Sequence, residues 1–302
     1  MSLQIRFSDR PLGHEILGIN TAGDIAADVF AEIEAAYDRY GVILFRNQHL
    51  TPEQQIAFSK RFGDLTEYTV KQYNMADHPE IFIVSNVVVD GKPLGMVDAG
   101  RYWHTDMWVT ANPPRGSMLY AIEVPIDSNG EARGDTCFAS TAAAYDGLPE
   151  DLRKTIEGRR AVFDSEAYFM SRMSRTPKDP ITGDYSEDVK KRMTQRSQNV
   201  VQHHDMVKVH PRTGRKSIYF SEEAISHIEG MSVEESAAVL EAVRAHVLRP
   251  EYVYRHRWAV GDLVMWDNIS CLHKAIGDFD LPLHRTMHRT TLASLVPNKA
   301  AA

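Results

Sequence analysis

Cysteine is nearly missing from this chain: Cys137 and Cys271 are the two among 302 residues. A disulfide framework is thereby excluded as the source of stability. Low cysteine usage fits a reducing cytoplasm. No apolar run approaches the ~18–20 residues of a membrane helix, so no membrane partner is expected. The opening residues Met1-Ser2-Leu3-Gln4-Ile5-Arg6 lack the apolar stretch of a secretory leader. A basic excess is missing too. Lys and Arg number 34 against 41 Asp and Glu, a net charge of −7, so no nucleic-acid partner is expected. Repeats, low-complexity tracts and Pro/Gly/Ser linkers do not interrupt the chain, and residues 1–302 read as one domain. With 43% hydrophobic and 25% charged residues, a chain of this length buries a substantial core.

What is present reads as short strands interleaved with a few helices. Ile25 to Tyr40 carries apolar residues at helical spacing, and Gly41-Val42-Ile43-Leu44-Phe45 is a buried strand. Thr51-Pro52-Glu53-Gln54 reads as a helix start, with Thr51 and Gln54 as a capping box and Pro52 at the first helical position. Further strands are expected at Ile81–Ser85, Gly116–Val124 and Asp135–Ser140, with Asp90-Gly91 as a turn. Helices are expected at Thr141–Tyr145, Glu150–Ile156 and Val233–Val247. A Gly-containing hairpin is read over Val207–Phe220, and strands follow at Tyr252–Trp258, Asp262–Trp266 and Arg285–Leu292. Residues Asp164 to Gln202 are polar and read as a long surface excursion, a candidate lid. The whole predicts a β-sandwich core with helices outside.

The sharpest local feature is Trp103-His104-Thr105-Asp106. On a strand, His104 and Asp106 share a face. One imidazole and one carboxylate can then fill two corners of a metal octahedron, and a distant histidine would complete a 2-His-1-carboxylate site of the kind non-haem Fe(II) oxygenases use. His-x-Asp alone is a weak signal, more often a surface hydrogen-bonded pair. His273, in Trp266-Asp267-Asn268-Ile269-Ser270-Cys271-Leu272-His273, is the favoured third ligand among 13 histidines. His203, His204 and His210 are its rivals. Asp267 and Asn268 are candidate supports for a ligand histidine, or simply turn residues. Arg285 and Arg289, four apart on a strand, share a face and suit two anions, since the planar guanidinium bonds a carboxylate bidentately. Otherwise they are solvated strand arginines. Thr136 offers a hydroxyl.

At these residues the chain resembles the taurine dioxygenase / 2,4-dichlorophenoxyacetate dioxygenase family. The resemblance runs through Gly41–Arg46, Gln54–Phe58 with Phe62-Gly63, Trp103–Asp106, Gly134–Thr136, Ala143–Pro149, His210–Lys216, Tyr254–Trp258, Gly261–Asn268, His273 and Arg285–Arg289. It implies a double-stranded β-helix, the jelly roll of the clavaminate synthase type. It implies Fe(II) on His104, Asp106 and His273, with 2-oxoglutarate and O2 as cosubstrates. Thr136 and Arg285 match the 2-oxoglutarate positions, and Arg289 matches the position that pairs with the substrate's anionic group. Because Asp106 is present, the open halide site of related halogenases is not expected. A homo-oligomer, dimer or tetramer, is expected by the same likeness.

The taurine enzymes carry a His and a Tyr after the Phe-Gly pair and an Asn four residues before the first ligand. Here Tyr68, Lys71 and Gly100 stand in those places, which argues against taurine. Tyr68, Lys71 and Tyr73 become candidate substrate-binding residues, with Tyr102, Met107 and Trp108 as possible pocket walls. The expected reaction is hydroxylation of a small aryl or alkyl carboxylate or sulfonate, with C–O, C–S or C–N cleavage where the hydroxylated carbon bears such a group. Tyr68, Tyr73 and the 85–92 segment also resemble the isonitrile-forming branch, which makes oxidative decarboxylation of an N-substituted amino acid the alternative. A non-enzymatic metal- or anion-binding jelly roll is the third reading.

Overall fold

The computed structural model describes residues 3–67, 71–97, 100–175 and 199–296. Its strands are β1 (Gln4–Arg6), β2 (His14–Leu17), β3 (Val42–Phe45), β4 (Asn74–Met75), β5 (His78–Ser85), β6 (Val88–Val89), β7 (Lys92–Pro93), β8 (Gly116–Glu123) and β9 (Thr136–Ser140). They continue with β10 (Arg160–Asp164), β11 (Val201–Asp205), β12 (Val207–Val209), β13 (Lys216–Ile218), β14 (Ile225–Ile228), β15 (Val253–His256), β16 (Leu263–Asp267), β17 (Cys271–Ala275) and β18 (Thr286–Leu292). Helices are α1 (Ala27–Tyr40), α2 (Pro52–Lys60), α3 (Thr141–Asp146), α4 (Glu150–Ile156), α5 (Ser165–Arg175) and α6 (Val233–Val247).

An eight-stranded sheet runs β1-β2-β3-β16-β8-β18-β5-β4, and a three-stranded sheet runs β15-β9-β17. The continuous apolar runs are explained by burial on both faces of the large sheet. In β16, Val264 and Trp266 turn inward to meet Phe138 and Cys271 of the small sheet. Leu263 and Met265 turn outward under Ile33 and Tyr37 of α1 and Phe58 of α2. Beyond the small sheet, Ala139 and Leu272 pack with Ala144 of α3, Ile156 of α4 and Val243 of α6. This is a jelly roll, mainly β with flanking helices. Among the described residues no helix is long and apolar enough to cross a membrane.

Local signals explain most element ends. Gly41 closes α1 in the left-handed conformation, φ 71°, which glycine adopts without steric cost. The capping box at Thr51 and Gln54 forms as read from sequence. Asp90 and Gly91, both at positive φ, turn the β6–β7 hairpin, as a type I′ turn requires. The stretch from Asp164 is not all loop. Asp164 Oδ1 accepts from the Glu166 amide at 2.8 Å and starts α5, and 201–205 form β11 against β10. The remaining part of the expected lid, 176–198, lies outside the described residues.

Candidate active site

Two chain segments 169 positions apart are tied by one backbone bridge. His104 N donates to His273 O at 3.1 Å, and His273 N donates to His104 O at 2.9 Å. His273 sits in the middle of β17. The His104–Asp106 stretch is not a regular strand, contrary to the sequence expectation. It makes a single bridge at His104 and then turns, with Met107 at φ 50°. The two side chains converge because the bridge and turn aim them together, and Thr105 Oγ1 anchors the turn by donating to Asn268 O at 2.7 Å.

The candidate ligand atoms of His104, Asp106 and His273 all lie within 4.8 Å of one another. Nε2 of His104 is 3.8 Å and Nε2 of His273 is 3.7 Å from Asp106 Oδ1. His104 Nδ1 lies 2.8 Å from Tyr102 O and donates to it, which leaves the Nε2 lone pair facing Asp106. Burial lowers the His104 pKa, and burial followed by His104 itself pushes His273 down to about 3. Burial alone would favour a neutral Asp106. Arg289, both histidines and the Ser117 hydroxyl outweigh it and hold the carboxyl well below its ordinary range. Two neutral imidazoles and one ionised carboxylate, converging on one point, are a donor set that fits Fe(II).

The rival histidines are committed elsewhere. His203 pairs with Glu229, His204 Nε2 donates to Trp108 O at 2.7 Å, and His210 Nε2 donates to Asp267 Oδ2 at 3.1 Å. Asp267 makes no hydrogen bond to His104 or His273. Its Oδ1 accepts from Ile269 N, Ser270 N and Ser270 Oγ, so it is turn chemistry. Asn268 Nδ2 donates to Pro114 O at 3.3 Å.

The three residues line a cavity of about 340 Å³. Thr136 and Arg285 line it as well, and so does Arg289, whose Nη1 is 3.3 Å from Asp106 Oδ1. Arg285 is 7% exposed, and its Nε has no hydrogen-bond partner among the described residues. Burial pushes its pKa down to about 10, the signature of a cation lacking a full counter-charge. Phe82, Val84, Met96, Leu119 and Trp108 make the apolar walls. Tyr102 and Tyr168 close one side through a hydroxyl contact of 2.9 Å.

Of the sequence candidates for substrate contact, Lys71 is exposed, paired with Glu67 at 3.3 Å, and does not line this cavity. Tyr73 stands behind the wall, edge-on to Phe82 with centroids 6.1 Å apart. Tyr68 lies outside the described residues. Tyr102, Met107 and Trp108 do line it. Sequence reading missed Phe82, Val84, Met96, Leu119 and Tyr168. The alternation of Ile81–Ser85 put Phe82 and Val84 on one face, but nothing local said which face met the site.

Gly100 has φ 74°, and a Cβ there would collide with His104 Cε1. Gly100→Ala is therefore expected to lower iron affinity by about tenfold or more, as disturbed support of a metal ligand does. Metal analysis after dialysis against a competing chelator checks this.

A jelly roll that closes two histidines and a carboxylate over a buried cavity has the architecture of a non-haem Fe(II) oxygenase. Residues 6–291 match the family described as "Taurine catabolism dioxygenase TauD, TfdA family", and the chain belongs to that family. It is similar to alpha-ketoglutarate-dependent 2,4-dichlorophenoxyacetate dioxygenase of Cupriavidus pinatubonensis, 37% identical over 273 residues, 86% of this chain and 87% of that protein. It is 31% identical over 291 residues to alpha-ketoglutarate-dependent sulfate ester dioxygenase of Pseudomonas putida, 95% of this chain and 88% of the relative. Among solved structures, a taurine dioxygenase from Burkholderia xenovorans superposes with a TM-score of 0.77 at 30% identity, covering 98% of this chain and 91% of the other. AAD-2 in complex with Mn(II) and N-oxalylglycine gives 0.75 at 30% identity, covering 97% and 99%. The chain is thus an enzyme of a dioxygenase family, which sets aside the non-enzymatic reading.

Proposed function

We propose that this enzyme is an Fe(II)- and 2-oxoglutarate-dependent dioxygenase that hydroxylates a small aryl or alkyl organic anion. Where the attacked carbon bears an ether or ester oxygen, the hydroxylated product collapses and the C–O bond breaks. The observation that carries this reading is the shared cavity: His104, Asp106 and His273, the under-compensated Arg285 with Thr136, and a second arginine, Arg289, all line it.

Iron held by His104, Asp106 and His273 supplies the coupling of O2 reduction to 2-oxoglutarate decarboxylation and C–H oxidation. The chain's own residues do the rest. Arg285 takes the distal carboxylate of 2-oxoglutarate in a bidentate pair, with the Thr136 hydroxyl beside it. Arg289 orients the substrate anion. Phe82, Val84, Met96 and Leu119 hold the apolar part of the substrate and keep water away from the reacting carbon. Helix α5 brings Ser165 and Tyr168 onto the cavity, so the beginning of the 164–202 stretch serves as its cover. Within this reading the enzyme is cytoplasmic, in keeping with two free, buried cysteines.

The test is succinate release from 2-oxoglutarate across a panel of aryloxyalkanoates, alkyl sulfates and alkyl sulfonates. Stimulation by at least one class, with an equimolar hydroxylated or cleaved product, is expected. Consumption of 2-oxoglutarate that no organic anion accelerates would contradict the substrate class.

A further inference from the structure

The indole of Trp258 lies behind the cavity wall, 2% exposed. Its Nε1 is 3.0 Å from Thr136 Oγ1. An indole N–H only donates, so the Thr136 oxygen accepts. Among the described residues the Thr136 hydroxyl has no acceptor for its own proton, and Thr136 lines the cavity. The proton is thus left for a group in the cavity. The same indole backs the neighbouring cation, with Arg285 Cζ 5.8 Å from its ring, within reach of a cation–π contact.

The indole is itself held in place. In the antiparallel register of β15 and β9, His256 pairs with Thr136, and two residues on the chain brings Trp258 back onto Thr136. His256 packs edge-on against Trp258 at 4.5 Å. His256 Nε2 is hydrogen-bonded to Asp262 Oδ2 at 3.0 Å, and Tyr254 Oη donates to His256 Nδ1 at 3.1 Å. The ring has little freedom to turn.

We infer that Trp258 is a positioning residue for the distal carboxylate of the cosubstrate: it fixes the Thr136 hydroxyl as a donor and backs the guanidinium of Arg285. This rests on the reading of Thr136 and Arg285 as the 2-oxoglutarate site. With Trp258 in place, the carboxylate meets an oriented O–H beside a cation. Without it, the hydroxyl is free to rotate, and ordering it opposes binding.

The test uses the Fe(II)-loaded enzyme under anaerobic conditions and measures dissociation constants for 2-oxoglutarate and for pyruvate, a 2-oxo acid with no distal carboxylate. Trp258→Phe is expected to weaken 2-oxoglutarate severalfold, up to about tenfold, the scale of ordering one freed polar side chain on binding, and to leave pyruvate within about twofold. Thr136→Val should weaken 2-oxoglutarate at least as much, Thr136→Ser should bind as wild type, and the Trp258→Phe/Thr136→Val double variant should bind no worse than Thr136→Val, since the indole N–H acts only through the Thr136 hydroxyl and the phenyl ring of the variant still backs Arg285. Trp258→Met runs alongside, so that a folding failure of one variant leaves the other arm. Equal losses for 2-oxoglutarate and pyruvate, additive losses in the double variant, or an unchanged 2-oxoglutarate affinity would each overturn the proposal alone. Wild-type enzyme that binds 2-oxoglutarate no better than pyruvate would overturn the reading of the distal site and the proposal with it.

Discussion

Asp106→Asn is expected to lower kcat/KM by on the order of 10³, about 4 kcal/mol of transition-state stabilisation. The amide keeps the shape of the side chain, and Ser117 Oγ, now 2.9 Å from Oδ2, still finds an oxygen. What disappears is the charge. Arg289, His273 and His104 all favour the ionised carboxyl, so the site is built around an anion, and an Asn leaves two neutral imidazoles with no negative ligand. Iron content measured after anaerobic loading and desalting should fall in parallel with the rate. The circular dichroism spectrum should not change. Wild-type iron content with wild-type turnover would remove Asp106 from the ligand set.

The second large effect belongs to Arg285→Gln. A buried guanidinium with an unpartnered Nε and a pKa pushed down to about 10 by burial is a poor contributor to the stability of the ligand-free protein. Removing it should leave the unfolding midpoint of ligand-free enzyme equal to or above that of wild type. Affinity for 2-oxoglutarate should nevertheless drop about 100-fold or more, on the order of 3 kcal/mol, as when one member of a desolvated charge pair is lost. Opposite directions for stability and cosubstrate affinity mark a residue kept for function. A lowered midpoint with unchanged cosubstrate affinity would make Arg285 a structural residue.

The fold was legible where one physical rule dominated. Runs such as Gly41–Phe45 and Asp262–Trp266 read as strands because both sheet faces are covered. The capping box of Thr51 and Gln54 read as a helix start because capping is local chemistry. The candidate site was legible in part. His104 and Asp106 stood out by spacing, yet they meet His273 through a bridge and a turn, not through strand alternation. That bridge spans half the chain, and no local pattern records it. Lys71 looked like a pocket residue from its place after Phe62-Gly63, but an aperiodic loop does not say which way a side chain faces, and it pairs with Glu67 on the surface. Tyr168 was invisible for the converse reason. It sits in a stretch whose polar composition read as surface loop, and it becomes a wall residue only because α5 packs over the cavity. Trp258 read only as the end of a strand, and its hydrogen bond to Thr136 is a tertiary fact.

The central claim is that His104, Asp106 and His273 bind iron next to a 2-oxoglutarate site. The most direct measurement is an anaerobic titration of Fe(II) and then 2-oxoglutarate into wild type and His104→Ala, following visible absorption. The account predicts a weak charge-transfer band of the iron chelate in wild type and no band in His104→Ala. A well-folded, iron-loaded wild type without that band, or a band that persists in His104→Ala, would contradict it.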